Sequence, residues 1–295
     1  MPRLRDLGKD RSRRWWLTGR PIASLRRAAA FVDDVGFALL FPSRGIELPS
    51  LYQAASDRTA EATAEVEWGP EAERVWGWKD ELPRRGMAWY GRFLRGRPSF
   101  LSPVLLADLY PRAGHPEDFT EADLGPDGRR IAEMLLLSGP TPSAVLREAL
   151  GAEGRRGQAR FAKALGELGR ALVITHFGTE DQGAGWPAAV LELTARVFSV
   201  GGARRGRDDA RLRAAGKFLD TMLVTEAGEL ARAFGWPRDT SSDALEALVA
   251  RGQAGRDGSA FEAPVIGRKR EPSERDLAAR RTKSHAIRRS VTRRG

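Results

Sequence analysis

Residues 75–83 read VWGWKDELP, two tryptophans around a glycine followed by Lys79, Asp80, Glu81 and Leu82-Pro83. The next residues, RRGMAWYGRFLRGRPSFLSP, add Trp89, Tyr90 and Phe93 among five arginines. Two chemistries suit such a knot. Asp80 or Glu81 would act as an acid if a cleft raised its pKa, or the rings and cations would stack on and cradle a polyanion. The plainer reading has Trp76, Trp78 and Leu82 filling a seam between domains, with Lys79, Asp80 and Glu81 in solvent. The large apolar area of tryptophan favours the seam.

Little else offers chemistry. The chain has no cysteine, which excludes disulfides, thiolate nucleophiles and cysteine–zinc sites and suits a reducing cytoplasm. His115, His176 and His285 lie far apart in sequence, with no acidic partner at ligand spacing, so no metal is expected. There is no glycine-rich phosphate loop or nucleophile elbow, and no cofactor is expected. No apolar run approaches the roughly 18 residues of a membrane span.

The net charge is +10 over 295 residues. Residues 1–20 hold seven Lys/Arg against two Asp, and residues 266–295 hold eleven against three acids, which leaves −3 for the body between them. An electrostatic argument for nucleic acid therefore applies to the ends, where clusters such as Arg268-Lys269-Arg270 need only charge to meet phosphate.

The elements that must position these residues are mostly helical. Periodicity predicts a helix near residues 22–35, and from Gly128 a regular series follows. RRIAEMLLLSG is one helix; TPSAVLREALG is a second, with Thr141 expected as N-cap; GQARFAKALGELGR is a third. ALVITHF then reads as a strand, GTEDQGAG as a glycine-rich tip and PAAVLELTARVF as a helix. This is the outline of a winged helix-turn-helix. Aligning Thr141 with Thr225 superimposes TPSAVLREALG on TEAGELARAFG, a weak internal repeat. The expected fold is mostly α with small β wings, in tandem winged helix-turn-helix modules. The expected divisions are a basic N-terminal arm (1–18), a first winged-helix-like module (19–67), a helical connector carrying WKDELP (68–126), a middle module (127–202), a third module (203–262) and a disordered basic tail (263–295).

On the third helix of the middle module, Arg160, Lys163, Glu167 and Arg170 recur at steps of three or four opposite Phe161, Leu165 and Leu168, with Arg155 and Arg156 just ahead. In a winged helix that face enters the major groove; the plain alternative is a solvated helix face, to which Glu167 lends weight. His176 and the glycine-rich tip are candidates for contact beside it. The equivalent helix of the last module shows Asp239, Asp243 and Glu246, which repel phosphate.

Three stretches, VGFALLFPSRGIELPSLYQA, VWGWKDELP and residues 127–186, resemble the winged-helix superfamily that includes the bacterial DNA glycosylases AlkZ and YcaQ, and in particular its AlkZ-related members. There, a Trp followed by Ala-His-Glu and then Leu-Pro is similar to Trp78-Lys79-Asp80-Glu81-Leu82-Pro83 here. The resemblance implies double-stranded DNA as partner. It also implies a Gln–apolar–(Gln or Asp) motif that positions water at the nucleotide sugar, and this falls on Leu39-Leu40-Phe41, which cannot orient water or accept a proton. The preferred reading is a DNA-binding protein of the cytoplasm, associated with the nucleoid, with no catalytic residues assigned. The alternatives are a DNA glycosylase acting on alkylated bases or crosslinks, and a protein-interaction scaffold. The sequence leaves oligomeric state open.

Overall fold

The computed structural model describes residues 6–56, 66–181, 187–201 and 206–264. Several helices start where a side chain supplies a missing acceptor. Asp6 caps α1 (Leu7–Arg14) by accepting from the Lys9 amide at 3.1 Å, and Ser24 caps α2 (Leu25–Val35). Helix α2 buries Ala28, Phe31, Val32 and Val35, then stops at Gly36, whose φ of +80° favours glycine. The short strand β1 (Phe37–Leu39) leads to α3 (Leu51–Ala55), capped by Ser50. Helix α4 (Pro70–Arg84) begins at a proline and carries the VWGWKDELP segment. The hairpin β2 (Trp89–Arg92) and β3 (Pro98–Leu101) closes this part, and α5 (Pro103–Leu109) follows, capped by Ser102.

The same order then recurs. Helix α6 (Pro126–Ser138), β4 (Thr141–Pro142), α7 (Ser143–Ala149), α8 (Gly154–Arg170) and the hairpin β5 (Ile174–Glu180) and β6 (Ala188–Leu193) form the middle part, which ends in α9 (Thr194–Val197). Helix α10 (Arg207–Met222), β7 (Val224–Glu226), α11 (Ala227–Phe234), α12 (Arg238–Ala250) and the hairpin β8 (Gly255–Asp257) and β9 (Ala260–Glu262) form the last. All three sheets are antiparallel with one strand order, the last strand lying between the other two: β1-β3-β2, β4-β6-β5 and β7-β9-β8. The protein is thus mostly α, with three small sheets among the described residues.

Several expectations need correction. The division between residues 67 and 68 runs through one sheet: β1 pairs with β3, Phe37 opposite Leu101, and β3 with β2. Residues 68–126 are therefore no connector; they supply the first part's long helix and its hairpin. PAAVLELTARVF is not a helix but β6 followed by α9, because β5 needs a partner and pairs with it from Ile174–Leu193 to Glu180–Ala188, with a register shift between His176 and Gly178. An apolar run of that length is ambiguous by periodicity alone. Thr141 and Thr225 do correspond, each standing two residues before a helix, but both are strand residues, so Thr141 is not the expected cap. The cap positions fall to Pro142 and Glu226.

The N-terminal arm is also invested structurally. Arg11 is buried and donates to the carbonyls of Met222 (2.9 Å) and Val224 (3.0 Å), and Arg14 pairs with Asp34 and Asp220. The Trp15 indole donates to Thr221 O at 2.8 Å, so α1 is docked on the end of α10.

The hairpin β2–β3 ties the rest together. Trp89 is fully buried, and its indole N–H lies 3.1 Å from both Ile174 O and Thr194 Oγ1 of the middle part. At the tip, Leu94 is fully buried and Phe93 lies 6.2 Å from Phe234 of α11. Phe234 in turn meets Phe37 and Phe218, so the first and last parts share one core. Two glycines permit the approach. A Cβ on Gly91 would sit 2.6 Å from the Trp89 ring, and one on Gly169 of α8 would sit 2.9 Å from Arg92 O.

Trp89→Ala is expected to destabilise the protein by about 3–5 kcal/mol in urea titration. Trp89→Phe, which keeps most of the area but leaves the two acceptors without their donor, is expected to cost about 1–3 kcal/mol. Equal, small losses for both would show that the indole does not hold the parts together.

Candidate nucleic-acid interface

Helix α8 folds because Phe161, Ala164 and Leu168 share one face, buried against α6 and the sheet of the middle part. The opposite face is exposed and carries Arg155, Arg156, Arg160, Lys163 and Arg170. The helix starts at Gly154, so Arg155 and Arg156 belong to its first turn rather than preceding it. Glu167, the acid that weighed against a phosphate-facing surface, turns away: its Oε2 accepts from the Gly125 amide at 3.2 Å, at the start of α6. Arg160 is partly engaged, 2.8 Å from Asp127 and donating to Leu150 O at 2.9 Å. Lys163, 78% exposed, lies 3.9 Å from Glu167 Oε1. The face is a cationic strip whose acid has been diverted.

His176 is elsewhere. It is buried on β5, where α4 lies along that strand, and its Nε2 is 2.5 Å from Asp80 Oδ1. The same oxygen accepts from Lys79 Nζ at 2.8 Å, and Lys79 is itself buried. Tyr90 meets the imidazole edge-on at 5.5 Å, and burial pushes its phenol far up, so it stays neutral. Burial alone would raise the Asp80 pKa, but the His176 ring and the Lys79 ammonium outweigh it and hold the carboxyl below the usual aspartate value.

Beside this group lie four rings. The Lys79 ammonium sits 4.5 Å from the centre of the Trp76 ring. Trp76 stacks on Phe41 at 6.4 Å and 14°, and meets Trp68 edge-on at 6.0 Å. Phe41 also touches Tyr52. Trp68 is 53% exposed and Trp76 is 37% exposed, whereas Trp78 is buried. Helix geometry splits the knot: Trp78, Leu82 and Val75 turn inward, while Trp76 and Asp80, four residues apart, share an outer face.

The remaining candidates separate. Leu39 and Leu40 are buried, and Phe41 joins the aromatic group, so this stretch puts no polar side chain there. On α12, Asp239 and Asp243 are exposed and Glu246 pairs with Arg256 beside an open hollow. Arg268, Lys269 and Arg270 lie outside the described residues, as do residues 182–185 of the glycine-rich tip. Among the described residues no group of three or more acids and histidines could hold a metal, and no helix is long and apolar enough to cross a membrane. Sequence reasoning missed Trp68, Phe41 and the Asp80–His176 pair. The aromatic residues on both sides of α3 were a signal for the first two; the pair, 96 residues apart, had none.

The model of the AlkZ-related family matches residues 22–234. Among solved structures, the chain is similar to the Streptomyces sahachiroi DNA glycosylase AlkZ. That match has a TM-score of 0.52 at 16% identity and covers 88% of this chain and 69% of that one. It is a likeness of fold. No curated protein matches the sequence.

Because the folded state depresses the Asp80 pKa, its contribution to stability is complete above the unfolded aspartate value of about 4. It is lost as pH falls from there through the depressed folded value. Urea titrations across this acid range should show a shallower loss of stability in Asp80→Asn than in the wild type. Parallel curves would mean that Asp80 is not held by His176 and Lys79 in solution.

Proposed function

Since the chain belongs to the AlkZ-related family, we propose that it is a DNA-repair-related protein that binds double-stranded DNA through winged-helix modules. In this reading each helix–strand–helix–helix–hairpin unit is one such module. Helix α8 holds the recognition position of the middle one and presents Arg155, Arg156, Arg160, Lys163 and Arg170 to the duplex. The observation that carries the proposal is the cationic strip itself, five exposed basic residues on one helix with Glu167 turned to Gly125. The last module, with Asp239 and Asp243 exposed on α12, is structural or meets another partner. The basic residues of the tail, including Arg268, Lys269 and Arg270, add affinity without regard to sequence. Such a protein would work at the nucleoid.

Base excision by the polar motif of the related glycosylases is not part of this reading. The matching stretch is Leu39-Leu40-Phe41, two core residues and a ring. Hydrolysis at a nucleotide sugar needs a group that stabilises positive charge there and a positioned water. One observation favours a second reading: Asp80 is an ionised carboxylate close to the exposed rings, and could serve a glycosylase built on a different acid.

Titration of plain and alkylated duplexes at several salt concentrations, scoring both binding and abasic-site formation, separates the two. Duplex binding without abasic product is expected. Arg155→Ala and Lys163→Ala should each reduce the slope of log K against log salt by about one, with unchanged thermal melting. Unaltered slopes would remove α8 from the interface, and abasic product that vanishes in Asp80→Asn would establish the glycosylase.

A further inference from the structure

We infer that Phe41, Trp68 and Trp76, with Asp80 and Lys79 at their edge, form a binding site for an unpaired base of DNA. The protein would then prefer duplexes that carry a single-stranded end or gap over fully paired ones. The inference rests on the DNA-binding reading and adds a second surface to the α8 strip.

Three features lead to it. The rings are displayed rather than hidden: Trp68 and Trp76 keep 53% and 37% of their surface accessible, against none for Trp89 in the core. They are also propped in place. Phe41 lies parallel to Trp76, Tyr52 braces Phe41, and the Tyr52 hydroxyl donates to Glu67 O at 3.1 Å, beside Trp68. An exposed aromatic group held in this way can stack on a flat ring without first being ordered.

The third feature is polar. Asp80 Oδ1 is taken by His176 and Lys79, but Oδ2 makes no hydrogen bond among the described residues. The carboxyl is kept ionised, so Oδ2 is an acceptor. Lys79 contributes one donor to Asp80, and its ammonium bridges that carboxylate and the Trp76 ring. Lys79 is buried, so Asp80 supplies the polar group a ligand can reach. An ionised acceptor next to a ring face matches the amino or imino N–H groups of a nucleobase edge. An aliphatic side chain of a protein partner would cover the rings and leave the Asp80 acceptor unanswered. A base inside a duplex has both faces stacked and its pairing edge occupied, so only an unpaired base can use the site.

The test compares a blunt duplex with the same duplex bearing a short single-stranded tail, by fluorescence anisotropy with the full chain. The tailed duplex is expected to bind roughly tenfold more tightly. Trp68→Ala, a change at an exposed ring, should abolish that difference and leave blunt-duplex affinity unchanged, and Trp76→Ala should do the same. A short single strand should also quench tryptophan emission less in Trp68→Ala than in the wild type. Equal affinity of the wild type for blunt and tailed duplexes would overturn the site, with duplex binding intact; that is the result expected of a protein-facing patch. A tail preference that survives in both variants would also overturn it, by placing the preference elsewhere. Failure to bind either duplex would remove this inference together with the reading on which it rests.

Discussion

The arrangement of the whole protein depends on one buried hairpin. Strands β2 and β3 belong to the first sheet, yet the Trp89 indole is hydrogen-bonded to the middle part and Phe93 and Leu94 lie in the core shared with the last. A fully buried indole N–H must find an acceptor, and here it has two on a neighbouring part. That requirement fixes β5 and α9 relative to β2. The ring stack of Phe37, Phe218 and Phe234 does the same for α10 and α11. The hairpin of the first part is therefore taken up by internal packing, whereas α8 and α4 present exposed side chains.

The basic residues divide along the same line. Those near the N-terminus that sequence alone would count toward a polyanion, Arg11 and Arg14, hold α1 against α10 through backbone carbonyls and Asp34 and Asp220. Removing their partners would leave charges in poor solvent, which is costly. The residues on α8 have few such obligations. Net charge alone gives no clue to this difference, since it counts a buried guanidinium and an exposed one alike.

How much of this was legible in the sequence follows from the range of each signal. The helix near residues 22–35 and the α8 face rest on residues within a few positions of each other, and the correspondence of Thr141 with Thr225 compares two such local patterns, so they could be read directly. The strand character of residues 188–193 depends on β5 across a hairpin, and apolar content there suits either state. The Asp80–His176 bond could not be read at all, because it exists only when α4 is laid along β5. The knot at residues 75–83 was legible in kind but not in orientation. Trp78 fills the interior as its area suggests, while Trp76, two residues earlier on the same helix, faces out.

The contact between Gly169 and Arg92 O has a mechanical meaning. With no side chain at Gly169, the end of α8 rests directly on the backbone of β2. In the proposed complex, a duplex meeting α8 would have to conform to a helix seated this closely on β2. The work of bending or opening a duplex depends on its base steps, being least at pyrimidine–purine steps and greatest in stiff tracts. Preference among target sequences would then be written in the elasticity of the DNA, at positions that no side chain of this protein touches.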